Sequence, residues 1–240
     1  MNEKVKVYNL IILDESGSMS SLHKPAVDGL NETLQSIQSA QATHADIQEH
    51  YVSMVFFNSN GIRPIMEDTP IENVKELNQQ DFRPSACTPL YDAMGSSLSK
   101  LRYRLNSDEQ HQVLVTVITD GYENASHEYN GKMIKNLVTD LKALGWVFTY
   151  IGANQDVEAV ADSMAINNRM SFKADNEGYG TMRSREGASR QLFYQKLSRK
   201  MMEEDVDLQA NFFGEEEEKN TVPEKLKESL GDKFKKLWSK

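Results

Sequence analysis

Apolar runs of strand length alternate with longer segments whose apolar residues recur every three to four positions, the pattern of a mostly parallel sheet covered by helices on both faces. Residues 5–13 form the first predicted strand. A helix follows over about 20–40, where Leu22, Val27, Leu30, Leu34 and Ile37 build one apolar stripe. Residues 51–57 are the second strand, and Ser59-Asn60-Gly61 turns the chain back into 62–66, because Asn-Gly between apolar runs signals a hairpin. The third strand is then antiparallel and lies at the sheet edge, where Pro64 is tolerated. Pro89 suits the first turn of a helix running to about 104, since the N–H it lacks would be unsatisfied there.

Residues 113–119 are almost wholly apolar and β-branched, as expected of a central strand covered on both faces. The unit then repeats: a helix near 131–144, a strand over 146–152, a helix near 156–164, a short strand over 169–172 and a helix from about 176 to 202. The expected fold class is α/β, a three-layer Rossmann-like sandwich whose central sheet has six strands, one of them an antiparallel edge strand.

In such a sheet the loops at the carboxyl ends of the strands form the ligand crevice, and Asp14 and Asp120 both fall just after strand ends on that rim. Asp14, Ser16 and Ser18 alternate, so their side chains can converge on one point. Each offers the hard oxygen that Mg²⁺ prefers, and Thr88 and Asp120 supply the other side. Taken alone, Asp14 to Ser18 reads equally well as a strand-to-helix turn, Thr88 as a helix N-cap and Asp120-Gly121 as an ordinary turn. The five residues together read as a divalent-metal cradle.

Three motifs at matching strand ends carry a family resemblance. Asp14-x-Ser16-x-Ser18, the threonine of Ala86-Cys87-Thr88-Pro89-Leu90 and the aspartate of Ile118-Thr119-Asp120-Gly121 resemble the metal-ion-dependent adhesion site of the von Willebrand factor A domains. The predicted strand order agrees over residues 4–202. Within that family, the segments 118–126 and 150–156 look closer to the compact intracellular bacterial and phage type than to integrin or matrix domains. The resemblance implies direct metal contact from Ser16, Ser18 and Thr88, with Asp14 and Asp120 acting largely through water. It also implies one coordination position left open for an acidic group on a partner.

Hydroxyl ligands backed by two carboxylates leave Mg²⁺ electrophilic, and Mn²⁺ can substitute. Ca²⁺ fits less well, because it asks for more oxygens and more anionic ligands than these loops provide. The expected function is a metal-dependent protein-binding module in an intracellular assembly, its partner supplying an Asp or Glu, and not an enzyme. The alternatives are a metal-dependent phosphoester hydrolase, for which Glu123 or His127 are the nearby candidate bases, and a tail-driven assembly or membrane-associated protein in which the domain is scaffold. Glu15, Tyr122, Glu123 and Asn124 share the same loops and are candidates for a partner-selecting rim, while the five histidines show no metal spacing.

Composition narrows the setting. The chain is 39% hydrophobic and 26% charged, with no apolar stretch approaching the ~20 residues of a membrane span. No signal-peptide pattern precedes the first strand. The lone Cys87, read as a small packed residue, excludes an internal disulfide and suits a reducing cytoplasm. A net charge of -9 argues against nonspecific nucleic-acid binding. Residues 1–202 are expected to form the domain and 203–222 an acidic linker that includes Glu215 to Glu218. In 223–240, Leu226, Leu230, Phe234, Leu237 and Trp238 mark a basic amphipathic helix. That helix has three destinations: the chain's own body or a second copy, a partner's groove, or an anionic membrane, the last weakened by three acids within the segment.

Overall fold

The structure, a computed structural model, describes residues 4–105 and 110–214. The elements run β1 (Val5–Asp14), α1 (His23–Thr43), β2 (Gln48–Asn58), β3 (Gly61–Pro70), α2 (Leu90–Arg104), β4 (His111–Thr119), α3 (Gly131–Ala143), β5 (Val147–Gly152), α4 (Val157–Ser163), β6 (Asn168–Ser171) and α5 (Asn176–Met201). The helix predicted from residue 20 starts later, because Gly17–Leu22 is wound as a tighter 3-10 turn. Residues 215–222 of the predicted linker and the predicted helix over 223–240 lie outside the described residues. Residues 203–214 lie against the body, with Leu208 and Phe212 buried in its core.

The sheet has six strands in the order β3-β2-β1-β4-β5-β6. All neighbours are parallel except β2 and β3, which Ser59 and Asn60 join as the predicted hairpin. From β1 the chain moves first to one side of the sheet and later returns to the other. Loops leaving β1 and β4 therefore diverge at a switch point, which opens a crevice at their carboxyl ends. Register fixes what meets there: Leu13 lies opposite Ile118, so Asp14 and Thr119 end neighbouring strands together.

Alternation along the strands divides the core in two. Val7, Ile11 and Leu13 face α1 and α5, where the predicted stripe of Leu22, Val27, Leu30, Leu34 and Ile37 is fully buried. Leu10 and Ile12 face α2, α3 and α4. Full burial of each large aliphatic side chain contributes roughly 1.5 to 3 kcal/mol, and this double cover explains why the central strands read as continuous apolar runs.

One part of the α5 face is polar. Arg190 is fully buried, its Nε donating to Glu186 Oε1 at 2.8 Å and its Nη2 to Thr116 Oγ1 at 2.8 Å. Nη1 donates to Asn9 Oδ1 and to the Tyr194 hydroxyl, both at 3.3 Å, and that hydroxyl donates to Asn9 Oδ1 at 2.7 Å. Helix α5 is thus keyed to β1 and β4 by a satisfied charge network. Removing one member of a buried pair leaves the other uncompensated. Glu186→Ala should lower the unfolding free energy by about 3 to 5 kcal/mol. Glu186→Leu combined with Arg190→Met should recover most of that loss, and urea midpoints that do not separate the two variants would contradict the assignment.

Candidate metal centre

At the switch point three loops bring the five predicted residues together. Asp14 closes β1, and its Oδ1 accepts the backbone N–H of Ser16 at 2.7 Å, which folds the chain into a tight turn. Its Oδ2 accepts the Thr119 hydroxyl at 2.6 Å, tying the turn to the end of β4. Ser16 Oγ then stands 3.1 Å from Ser18 Oγ, and the Ser18 hydroxyl donates to Asp120 Oδ1 at 2.6 Å. Thr88 borders the same space: a Cβ placed on Gly121 would come 3.8 Å from Thr88 Oγ1 and 3.9 Å from Ser18 Oγ. Asp14, Ser16, Thr88 and Asp120 are buried, while Ser18 is exposed at the mouth.

Adjacent corners of an octahedron with bonds of about 2.1 Å lie ~3 Å apart. The two serine hydroxyls stand at that separation, so this pair suits adjacent corners around an ion of Mg²⁺ or Mn²⁺ size. No group of three or more His, Cys, Asp or Glu side chains converges among the described residues, so the donors here are hydroxyls beside two carboxylates. That set favours a hard cation.

Electrostatics point the same way. Burial lifts the Asp14 carboxyl from 3.8 to about 6, only partly opposed by the bonds from Thr119 and Ser16, and the neighbouring charge of Asp120 raises it further. Asp120 is raised by burial too, against the bond from Ser18. No cationic side chain figures among the charges acting on either. Among the described residues neither carboxylate has an ion-pair partner, so both are held out of water without a paired counter-charge.

The surrounding loops are braced by side chains that periodicity does not reveal. Thr88 N donates to Asn124 Oδ1 at 2.8 Å and Asn124 N returns to the Thr88 carbonyl at 3.1 Å. The first turn of α2 has no side-chain cap of its own, since Pro89 occupies the cap position and Thr88 lies one residue before it. Its free amides are satisfied from the β4–α3 loop, Tyr91 N by Glu123 Oε2 at 2.9 Å and Asp92 N by Ser126 Oγ at 3.1 Å. Asp92 returns the favour, accepting the N–H groups of His127, Glu128 and Tyr129, and those three bonds outweigh its desolvation to hold its pKa below the usual value. Asn154, on the β5–α4 loop, donates to the Asp120 carbonyl at 3.2 Å.

Several rim candidates take other roles. Glu15 is buried, accepting Arg63 Nη2 and Arg83 N at 2.6 Å each, so it fastens the 83–88 segment to the first loop and presents no carboxylate to a partner. Glu123 accepts from four donors, including Ala125 N, Ser126 N and the Ser126 hydroxyl, and braces the loop instead of standing free as a base. Tyr122 and Asn124 remain exposed at the rim. Cys87 is exposed, not packed: its backbone pairs with Ser59 while Thr88 takes the buried place. His50 is buried against Gln48, its pKa pushed down to about 3, and His23 bonds the Phe82 carbonyl. Thr119 and Asn154 are the partners sequence reasoning missed; Thr119 carried a signal, as a hydroxyl ending an apolar strand one residue before Asp120.

Comparison with known proteins is informative at the level of fold. No family model matches the chain, and no curated protein does either. Solved structures do. The pilus adhesin SpaC from Lactobacillus rhamnosus GG superposes with a TM-score of 0.55 at 15% identity, over 78% of this chain and 31% of that one. Proximal thread matrix protein 1 from the mussel byssus superposes with a TM-score of 0.53 at 12% identity, over 75% of this chain and 45% of that one. The chain therefore spans less than half the length of either. The likeness is one of fold. More narrowly, the architecture described above is the von Willebrand factor A fold.

A carboxyl whose pKa is raised by folding gives the native state extra protons between pH 3.8 and about 6, so Asp14 favours folding below that window and disfavours it above. At 1.36 kcal/mol per unit the cost above pH 6 is about 3 kcal/mol. In chelator, the unfolding free energy of the protein minus that of Asp14→Asn should fall as pH rises through this window. A difference flat from pH 4 to 7, by urea titration, would refute the burial argument.

Proposed function

We propose that the protein is a divalent-cation-dependent protein-binding module. Ser16, Ser18 and Thr88 would hold Mg²⁺ or Mn²⁺, with Asp14 and Asp120 balancing its charge from behind, and the partner would contribute an Asp or Glu carboxylate. A cation bound there supplies Lewis acidity toward an anionic oxygen. The observation that carries this reading is the Ser16–Ser18–Asp120 oxygen chain, at 3.1 and 2.6 Å, set beside a second buried carboxylate. Two carboxylates buried without a paired counter-charge are costly, and a divalent ion relieves that cost.

Other observations support the reading. SpaC is a pilus adhesin that shares the fold. Engagement of Glu123 by four donors weighs against the hydrolase alternative, since a general base needs a free lone pair directed at its proton. We assign the binding domain to residues 1–202, with 203–214 packed against it. The cytoplasmic setting rests on the lone cysteine, and the bacterial or phage character on the segments 118–126 and 150–156 alone. Among the described residues no helix is long and apolar enough to cross a membrane.

Calorimetry should show uptake of Mn²⁺ by the wild type and none by Ser16→Ala with Ser18→Ala. A pull-down from lysate should recover a partner in Mg²⁺ and lose it both in chelator and with Asp14→Ala. Equal recovery in all three conditions would sink the proposal and shift weight to the segment after residue 214.

A further inference from the structure

The segment from Arg83 to Thr88 runs beside the loop that holds the serines. Arg83 N donates to Glu15 Oε1 at 2.6 Å, Ser85 N to the Glu15 carbonyl at 2.9 Å, and Gly17 N to the Ala86 carbonyl at 3.0 Å. Thr88 and Arg83 are therefore the two ends of one strip along the cradle. Ala86 takes a left-handed φ of 62°, which bends the strip and shortens the path between them. Even fully extended, the five steps would cover only about 17 Å.

Beyond the strip lies an open cleft of about 640 Å³, bordered by Ser20, His23, Gln80, Phe82, Arg83 and Ser85. Its charge is unbalanced. Arg83 is exposed and its Nε donates to the Gln80 carbonyl at 2.9 Å, which steadies the guanidinium, yet it forms no ion pair among the described residues. Of the acids around it, Glu15 is paired with Arg63 and Asp28 with Lys24, while Asp81 accepts the N–H of Asn78 and keeps its charge. The opposite rim differs in sign. There Glu123, Glu128 and Asp92 share the β4–α3 loop region with Tyr122, Asn124 and His127, with no lysine or arginine between 121 and 131.

We propose that the partner is an acidic segment read at two points, one carboxylate at the cation cradle and a second at Arg83 in this cleft. The proposal rests on the cation-dependent binding argued above and gives it a direction. An extended segment advances ~3.3 Å per residue and returns to the same face every second residue, so the second acid lies two or four residues from the first. Acids placed toward the 121–130 loop would meet like charge with no cation beside it, whereas the other side offers the Arg83 guanidinium. A guanidinium matches a carboxylate through paired N–H donors, which makes this position selective as well as attractive.

The test is a randomised dodecapeptide display library panned on the full chain in Mn²⁺ and eluted with chelator. Wild-type eluates should carry two acids spaced by two or four residues. Panning on Arg83→Glu should keep the first acid and replace the second with Lys or Arg, and Arg83→Gln should bind the wild-type peptides about fivefold more weakly. Calorimetric Mn²⁺ uptake should be unchanged in both variants, because Arg83 lies outside the donor set. Chelator-eluted peptides with a single fixed acid, or the same peptides from wild type and Arg83→Glu, would overturn the second contact while leaving the cation site standing. An eluate without chelator-dependent peptides would overturn both.

Discussion

The structure turns on the parallel register of β1 against β4. With Leu13 opposite Ile118, Asp14 and Asp120 emerge one residue apart in level at the ends of neighbouring strands and are buried by the loops that follow. A shift of one residue would turn every side chain of one strand to the other face, so the apolar cores on the two faces of the sheet are also what hold Asp14 and Asp120 in place. Like charges kept this close out of water oppose folding. The hydroxyls of Thr119 and Ser18 offset part of that cost, and the remainder appears as the raised pKa of both acids. Stability given up here is the physical basis for expecting a cation.

Around those two carboxylates the other nearby acids do structural work. Glu15, Asp92 and Glu123 are spent on backbone amides and on Arg63, so the three loops reach each other through charge-assisted bonds in place of packing. Pro89 leaves α2 without a capping side chain, and the β4–α3 loop fills that role. Thr88 is held by reciprocal bonds with Asn124, which joins the same two segments once more. A rim braced in this way loses little conformational freedom on binding, so more of the contact energy remains as affinity.

Much of this was legible from residue order. The alternation of apolar strands with amphipathic segments predicts all six strands and the edge hairpin, because each element's periodicity agrees with its burial. Asp14 and Asp120 stood out as candidates for a different reason, being acids at the ends of apolar strands, whereas Thr88 precedes α2 and follows no strand directly. What stayed hidden depends on pairing across the chain. Glu15 looks like a rim residue until Arg63, on the returning hairpin strand, is seen to reach it. Arg190 and Glu186 give no hint of full burial in a helix with so many charged residues; their partners Asn9 and Thr116 lie on strands far away in sequence. The 3-10 turn over Gly17–Leu22 likewise follows from Asp14 capturing the Ser16 amide, a contact with no periodic signature.

A chain of net charge -9 is at first sight a poor receptor for an acidic partner. Screening resolves the conflict, because at physiological ionic strength the Debye length is about 8 Å and distant surface charge is largely lost. What a docking carboxylate meets is local: two carboxylates whose charge a divalent ion would cancel, and Arg83 a few residues along the same strip. Glu15, which accepts the Arg83 N–H from the neighbouring loop, is already neutralised by Arg63. The acids on the far side are bonded to amides and paired with no cation, so they keep their charge and repel. Attraction on one flank and repulsion on the other fix the polarity in which an acidic segment can lie, and this asymmetry follows from where the fold has placed its arginines.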